Sequence, residues 1–128
     1  MQEQATKCIF CDLPDDRFLQ ENKFAFAIRD GFPVSDLHSL VIPKRHVEDY
    51  LSLSEEEVLA CNSLLQSLKQ NILKTDDSVA GFNIGINSGF VAGQTIFHCH
   101  IHLIPRRKGD VAAPRGGVRH VIPGKGNY

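Results

Sequence analysis

The sequence predicts an α+β domain, with one antiparallel sheet of about five strands and one main amphipathic helix packed on it. Three observations carry that prediction. The stretch from Ser54 to Lys74 repeats its apolar residues at helical spacing. The remaining apolar runs are short, alternate apolar with polar side chains, and stop at Gly, Pro, Asn or Asp, as strands joined by turns do. The chain's 128 residues, 42% of them hydrophobic, have room for one core and too little for two.

A net charge of −1 lacks the basic excess that supplies nonspecific affinity for nucleic acid, so nucleic acid is not an expected partner. The charge is unevenly placed. Residues 1–104 carry eight Lys/Arg against fourteen Asp/Glu, and residues 105–128 carry six against Asp110 alone. Met1 to Lys7 has no apolar core of the roughly 7–15 residues that a secretory signal needs, and no segment reaches about 18 apolar residues. A cytoplasmic chain without membrane contact is therefore expected. In that compartment four cysteines point to metal or chemistry before disulfides.

From the N-terminus, Cys8-Ile9-Phe10-Cys11 has the spacing at which two thiolates grip one zinc ion. A redox pair is the rival reading. It is weakened because Asp12-Leu13-Pro14-Asp15-Asp16 reads as a turn, where a thioredoxin-type pair would open a helix. Residues 17–29 read as two strands around a turn at Glu21-Asn22-Lys23, with Phe24, Phe26 and Ile28 alternating toward the core. Asp30-Gly31-Phe32-Pro33 ends the second strand, and Asp30 suits a turn capped by its own side chain. His38 to Ile42 reads as a buried strand stopped by Pro43, and Lys44-Arg45-His46 as a loop whose two cations are solvated.

Ser54-Glu55-Glu56-Glu57 is a capping box, with acidic residues where the helix dipole favours them. Val58, Cys61, Leu65, Leu68 and Ile72 then form an apolar stripe, broadened by Leu64 and Leu73, on a helix of about five turns ending near Lys74. Ala80 to Asn87 alternates like a strand. It leads into Ser88 to Thr95, a Gly-rich polar loop of the kind whose backbone N–H groups approach an anion. Val111 to Tyr128 is rich in Gly, Pro and Arg, lacks periodicity and reads as irregular.

The chemistry concentrates in Phe97-His98-Cys99-His100-Ile101-His102-Leu103-Ile104. On a strand, the three histidines would share one face at roughly 6.5–7 Å intervals, with Cys99, Ile101 and Leu103 on the other. Clustered imidazoles suppress one another's protonation, and each needs a partner when buried, so strict alternation points to use rather than packing. Two uses fit: a metal site, or phosphoryl chemistry with a neutral histidine as nucleophile. One strand cannot easily wrap three histidines around a single ion, which favours a division of labour. Cys61 and Cys99 are lone and read as structural.

His98 to Ile104 resembles the signature of the histidine triad (HIT) family. Leu40 to His46 and Gly93-Gln94-Thr95 resemble that family's other segments, in the expected order. The resemblance covers roughly Cys8 to Asp110. It implies a HIT-like fold over residues 1–110, with residues 111–128 an irregular basic tail of the same domain, and a homodimer in which the main helix takes part. It also implies one structural zinc per chain on Cys8, Cys11, His46 and His98, all four positions filled by protein. By the same resemblance Asp30 takes the ribose of a purine nucleotide. Asn87, Gly93, Gln94 and Thr95 contact phosphate, and His38 stands behind the triad to hold an imidazole tautomer.

The implied reaction is attack by His100 on an α-phosphorus, giving a nucleotidyl-histidine that water hydrolyses. His102 stabilises the phosphate and leaving group, and His98 orients the segment through zinc. Pro105 to Asp110 resembles the branch that cleaves dinucleoside polyphosphates, whereas the Cys-x-x-Cys half resembles a zinc-binding branch. The leaving group is thus open between a second nucleotide, as in diadenosine tetraphosphate, and an amine on a P–N bond. A nucleotidyl transferase or phosphorylase of the same family, and a nucleotide-binding module without turnover, are the alternatives to a hydrolase.

Overall fold

A computed structural model describes residues 7–128, so the expectation about a leader, which rests on Met1 to Lys7, lies outside the described residues except for Lys7. The sheet begins at a turn that Asn22 closes. Its Oδ1 accepts from the N–H groups of Phe24 and Ala25 at 3.2 and 2.9 Å, and its Nδ2 donates to the Ala60 carbonyl at 3.0 Å. This joins β1 (Gln20–Glu21) to β2 (Ala25–Arg29). With β3 (Ser39–Pro43), β4 (Val79–Gly85) and β5 (Ile101–Arg107) they form an antiparallel sheet in the order β1-β2-β3-β5-β4. The strands and the single long helix α1 (Glu55–Thr75) agree with the expected α+β architecture.

Alternation along the strands produces two packed faces. On one, Ala25, Ala27, Val41, Ile101 and Leu103 meet Cys61, Leu64, Leu68 and Ile72 of α1. The small alanines on β2 let the helix approach the sheet closely. On the other face, Phe26, Ile28, Leu40 and Ile42 pack with Phe10 beneath the N-terminal segment, and Phe18 stacks on Phe26 at 4.3 Å. The capping box forms as expected: Glu57 N–H donates to Ser54 Oγ at 3.1 Å, and Ser54 N–H to Glu57 Oε1 at 2.8 Å. Within the stripe Leu64 is central rather than peripheral, and Leu73 is exposed.

Two expectations need correcting. The triad does not lie on one strand, because β5 begins only at Ile101. Upstream, Cys99 N–H leaves the ladder for the Val47 carbonyl at 2.7 Å, so His98 and His100 sit on an irregular extended segment and His102 alone is in the sheet. Arg45 and Lys44 are not simply solvated. Arg45 pairs with Glu57 through Nε and Nη2 at 2.9 and 2.8 Å, and Lys44 with Glu21 at 2.8 Å. In the tail, residues 117–121 form a 3-10 turn that packs on β4.

Candidate metal centre and catalytic cavity

The N-terminal segment and the loop after β3 converge on His98. Cys8 Sγ and Cys11 Sγ lie 3.4 and 3.5 Å from His98 Nδ1, Cys11 Sγ lies 3.3 Å from His46 Nδ1, and the two Nδ1 atoms are 3.2 Å apart. With Zn–S near 2.3 Å and Zn–N near 2.0–2.1 Å, a tetrahedral site needs N···N of about 3.4 Å and N···S of about 3.6 Å. The donors fit that frame. His98 Nε2–H donates to the Pro43 carbonyl at 2.8 Å, which leaves the Nδ1 lone pair facing the other ligands. Burial, reinforced by His46 and His100, holds its pKa low, which suits a neutral ligand. His98 is fully buried, whereas Cys11 and His46 stand at the surface.

The next two histidines face a different space. His100 Nδ1 lies 2.8 Å from the His98 carbonyl, which can only accept, so the proton sits on Nδ1 and the lone pair on Nε2. His102 is set from behind by His38. Val34 N–H donates to His38 Nδ1 at 3.1 Å, so the neutral His38 carries its proton on Nε2 and donates to His102 Nδ1 at 2.9 Å. His102 therefore presents Nε2–H. Burial lowers the pKa of both His38 and His102, while Asp30 Oδ2, 3.4 and 4.0 Å from them, pulls it up. Asp30 Oδ1 caps its own turn by accepting from Phe32 N–H at 2.8 Å.

His100 and His102, with ring centroids 5.3 Å apart, sit in a cavity of about 410 Å³. Asp30 lies on the same side, and Asn87, Gly93 and Thr95 close the end near the Gly-rich loop. Gly93 has φ +96°, a conformation that favours glycine. Gln94 differs from the rest of its predicted group. Its buried amide accepts from Gly89 N–H at 2.8 Å and donates to the carbonyls of Glu48 and Ile96 at 3.0 and 3.1 Å, so it braces the loop from inside and does not line the cavity.

The far wall is one that sequence reasoning missed. Ile9, Phe10 and Leu13 form it with Ile28 and Leu40, and Arg17 stands at its edge. Phe10 meets His98 and His100 edge-on at 5.9 and 5.1 Å, so a residue between two candidate metal ligands also touches the His100 imidazole. The available signal was an aromatic residue held inside a Cys-x-x-Cys turn.

The model of the HIT domain matches residues 13–109. The chain is 38% identical over 111 residues to a HIT-like protein of Mycoplasma genitalium, a match spanning 83% of this chain and 78% of that protein. It is 36% identical over 107 residues to the adenylylsulfatase HINT3 of Arabidopsis thaliana, covering 80% of this chain and 54% of that one. Its fold superposes with a TM-score of 0.74 on a Zn-bound histidine triad family protein from Mycobacterium smegmatis, at 33% identity over 86% of this chain and 82% of that one. Sequence, fold and the arrangement of the histidines agree: the chain belongs to the histidine triad (HIT) family, whose members include nucleotide hydrolases.

Proposed function

We propose that the protein hydrolyses purine nucleotides at the α-phosphate through a nucleotidyl-histidine intermediate. One observation carries this reading: two adjacent imidazoles open on one cavity in opposite tautomers, His100 with a lone pair and His102 with an N–H. The base lies on the apolar wall of Ile9, Phe10 and Leu13. The ribose hydroxyls reach Asp30, whose carboxylate accepts them. The phosphate rests against Asn87, Gly93 and Thr95, and Gln94 contributes by bracing that loop.

Attack by His100 Nε2 puts positive charge on its ring, which the hydrogen bond from Nδ1–H to the His98 carbonyl holds in place. His102, its Nδ1 held by His38 Nε2–H, donates Nε2–H to the phosphate and the leaving group as charge develops on them, and the proton that the leaving group takes up comes from solvent, to which the attacking water later returns one. His98 takes no part in bond making. Cys8, Cys11, His46 and His98 would hold one structural zinc ion, which when bound would pin the N-terminal segment and the His46 loop to the triad. Such thiolates suit a cytoplasmic setting, and no helix among the described residues is long and apolar enough to cross a membrane. A second copy pairs along the edge strand β4, where Ile84 is 58% exposed, with α1 contributing Leu59.

The relative in Arabidopsis thaliana is named for action on an adenylyl sulfate, so the adenylyl side is the conserved part of this reading and the leaving group its variable part. The test is AMP release from diadenosine tetraphosphate and from adenosine 5′-phosphoramidate, with His100→Gly as control. Turnover of either, lost in the variant, is expected. AMP binding without turnover of either would overturn the hydrolase in favour of a transferase or a binding module.

A further inference from the structure

The four cysteines divide sharply by access. Cys11 is exposed and Cys8 half-buried, whereas Cys61 and Cys99 are each 1% exposed. Beside the first pair opens a cavity of about 460 Å³, lined by Lys7, Cys8, His46, Glu48 and Thr95 among others. It leads to two of the four candidate zinc ligands, and Ile9 and Thr95 line both it and the nucleotide cavity. Structural zinc sites are closed by their protein ligands. Here the closure is uneven: His98 shuts the site from inside at 0% exposure, while small solutes reach the thiolate side.

The pair is not built as a thioredoxin-type pair, because Cys11 runs into a turn rather than a helix. Asp12 N–H donates to the Cys8 carbonyl at 3.1 Å and closes that turn. What the turn supplies is proximity. The ligand atoms of Cys8, Cys11, His46 and His98 all lie within 4.8 Å of one another. Metal ligation uses both sulfurs as thiolates, which is also their nucleophilic form. Two thiolates side by side, one of them at the surface, make a site where the first is oxidised and the second resolves it as a disulfide.

We propose that Cys8 and Cys11 are a reversible oxidation site, at which a hydroperoxide joins them in a disulfide, frees the metal and loosens the wall of the nucleotide cavity that lies between them. The proposal rests on the zinc and nucleotide-binding readings and not on hydrolysis. Cys11 Sγ attacks one oxygen of the peroxide, the O–O bond breaks, hydroxide leaves, and Cys11 becomes a sulfenic acid. Cys8 Sγ then attacks Cys11 Sγ, the S–O bond breaks, and a second hydroxide leaves. The two sulfurs have lost two electrons and the peroxide has gained them. A disulfide sulfur carries no thiolate charge, so only His46 and His98 of the four ligands remain. Phe10, between the two cysteines, meets the His100 ring at 5.1 Å, and Ile9 lines the nucleotide cavity. The turn that the disulfide tightens is therefore the one that builds the wall.

The test treats the zinc-loaded protein with hydrogen peroxide. It follows zinc release to a colorimetric chelator, free thiols by alkylation and mass spectrometry, and AMP affinity by calorimetry, before and after reduction with dithiothreitol in the presence of zinc. Release of the metal is expected together with loss of two of the four thiols, with a disulfide between Cys8 and Cys11 in the peptide map. The Kd for AMP should rise by at least about 10-fold, within the usual range of coupling between sites, and reduction should restore all three. Retained zinc, or oxidation that falls first on Cys61 or Cys99, overturns the proposal. So does a disulfide that leaves AMP affinity unchanged, since the wall would then be independent of the pair. If the reduced protein takes up no zinc, the zinc reading falls, and the peptide map and AMP affinity decide. A disulfide between Cys8 and Cys11 that weakens AMP then supports the oxidation site, and four surviving thiols overturn it. If the reduced protein binds no AMP, the nucleotide reading falls and with it the proposed effect on the wall.

Discussion

His38 does not line the cavity, yet it decides which proton His102 offers. The Val34 N–H fixes one nitrogen of His38 as an acceptor, and the other must then donate to His102. His38→Leu removes that donor and frees His102 to flip its tautomer. The expected result is a loss of roughly 10²-fold in kcat, the lower end of general acid–base contributions, with KM little changed; an equal rise in KM would mean that His38 positions substrate instead. The pH dependence of stability follows from the same pair. Burial lowers the folded-state pKa of His38 and His102 below the unfolded value, so their contribution is complete above about pH 6.5 and is lost as pH falls through the folded values. The melting temperature of the wild type should therefore fall from pH 7.5 to 5.5 by more than that of His38→Leu. Equal falls would place the acid sensitivity elsewhere. His38 was legible as a neighbour of the triad only through the family resemblance, since its own position reads as the entry to a strand. Its direction of donation was not, since that depends on a backbone N–H four residues away. Gln94 shows the opposite limit: a polar residue in a Gly-rich loop reads as a ligand until its three internal hydrogen bonds are seen.

At the scale of elements, α1 does more than cover the sheet. Glu57 closes the capping box and at the same time holds Arg45, the neighbour of His46, so the helix N-terminus and the metal loop are tied by one carboxylate. These bonds lower its pKa to about 2, with the Arg45 hydrogen bond the largest cause. The stabilising contribution is thus present above the usual carboxylate range and lost only as pH falls through about 2. Ser54→Ala should cost about 1 kcal/mol, as loss of an N-cap does, while Leu68→Ala, in the middle of the buried stripe, should cost about 2–5 kcal/mol. Denaturant unfolding of the two variants checks the order; a larger loss from Ser54→Ala would show that the cap, not the core, holds the helix. Helix and strands were readable because amphipathic period is written locally. The start of β5 was not, because Cys99 N–H donates to the carbonyl of Val47, more than fifty residues upstream, and alternation in the sequence continues regardless.

Across the whole molecule the candidate metal centre and the proposed nucleotide cavity share Phe10. It is 5% exposed, lies between two proposed zinc ligands, and touches both His98 and His100. Ile9 and Leu13, on either side of it, complete the wall against which the base is proposed to lie. If zinc fixes Cys8 and Cys11, it also fixes that wall, and binding free energies at the two sites must be coupled reciprocally. A chelator strong enough to strip zinc should therefore weaken AMP binding as well as stability, although no step of the reaction uses the ion. AMP in turn should slow loss of zinc to a colorimetric chelator. Phe10→Ala separates the two effects: it should retain zinc, since no ligand is touched, yet weaken AMP and abolish the protection that AMP gives the metal. Retained protection in that variant would mean that the coupling runs by another route, such as the His98 backbone carbonyl and its bond to His100.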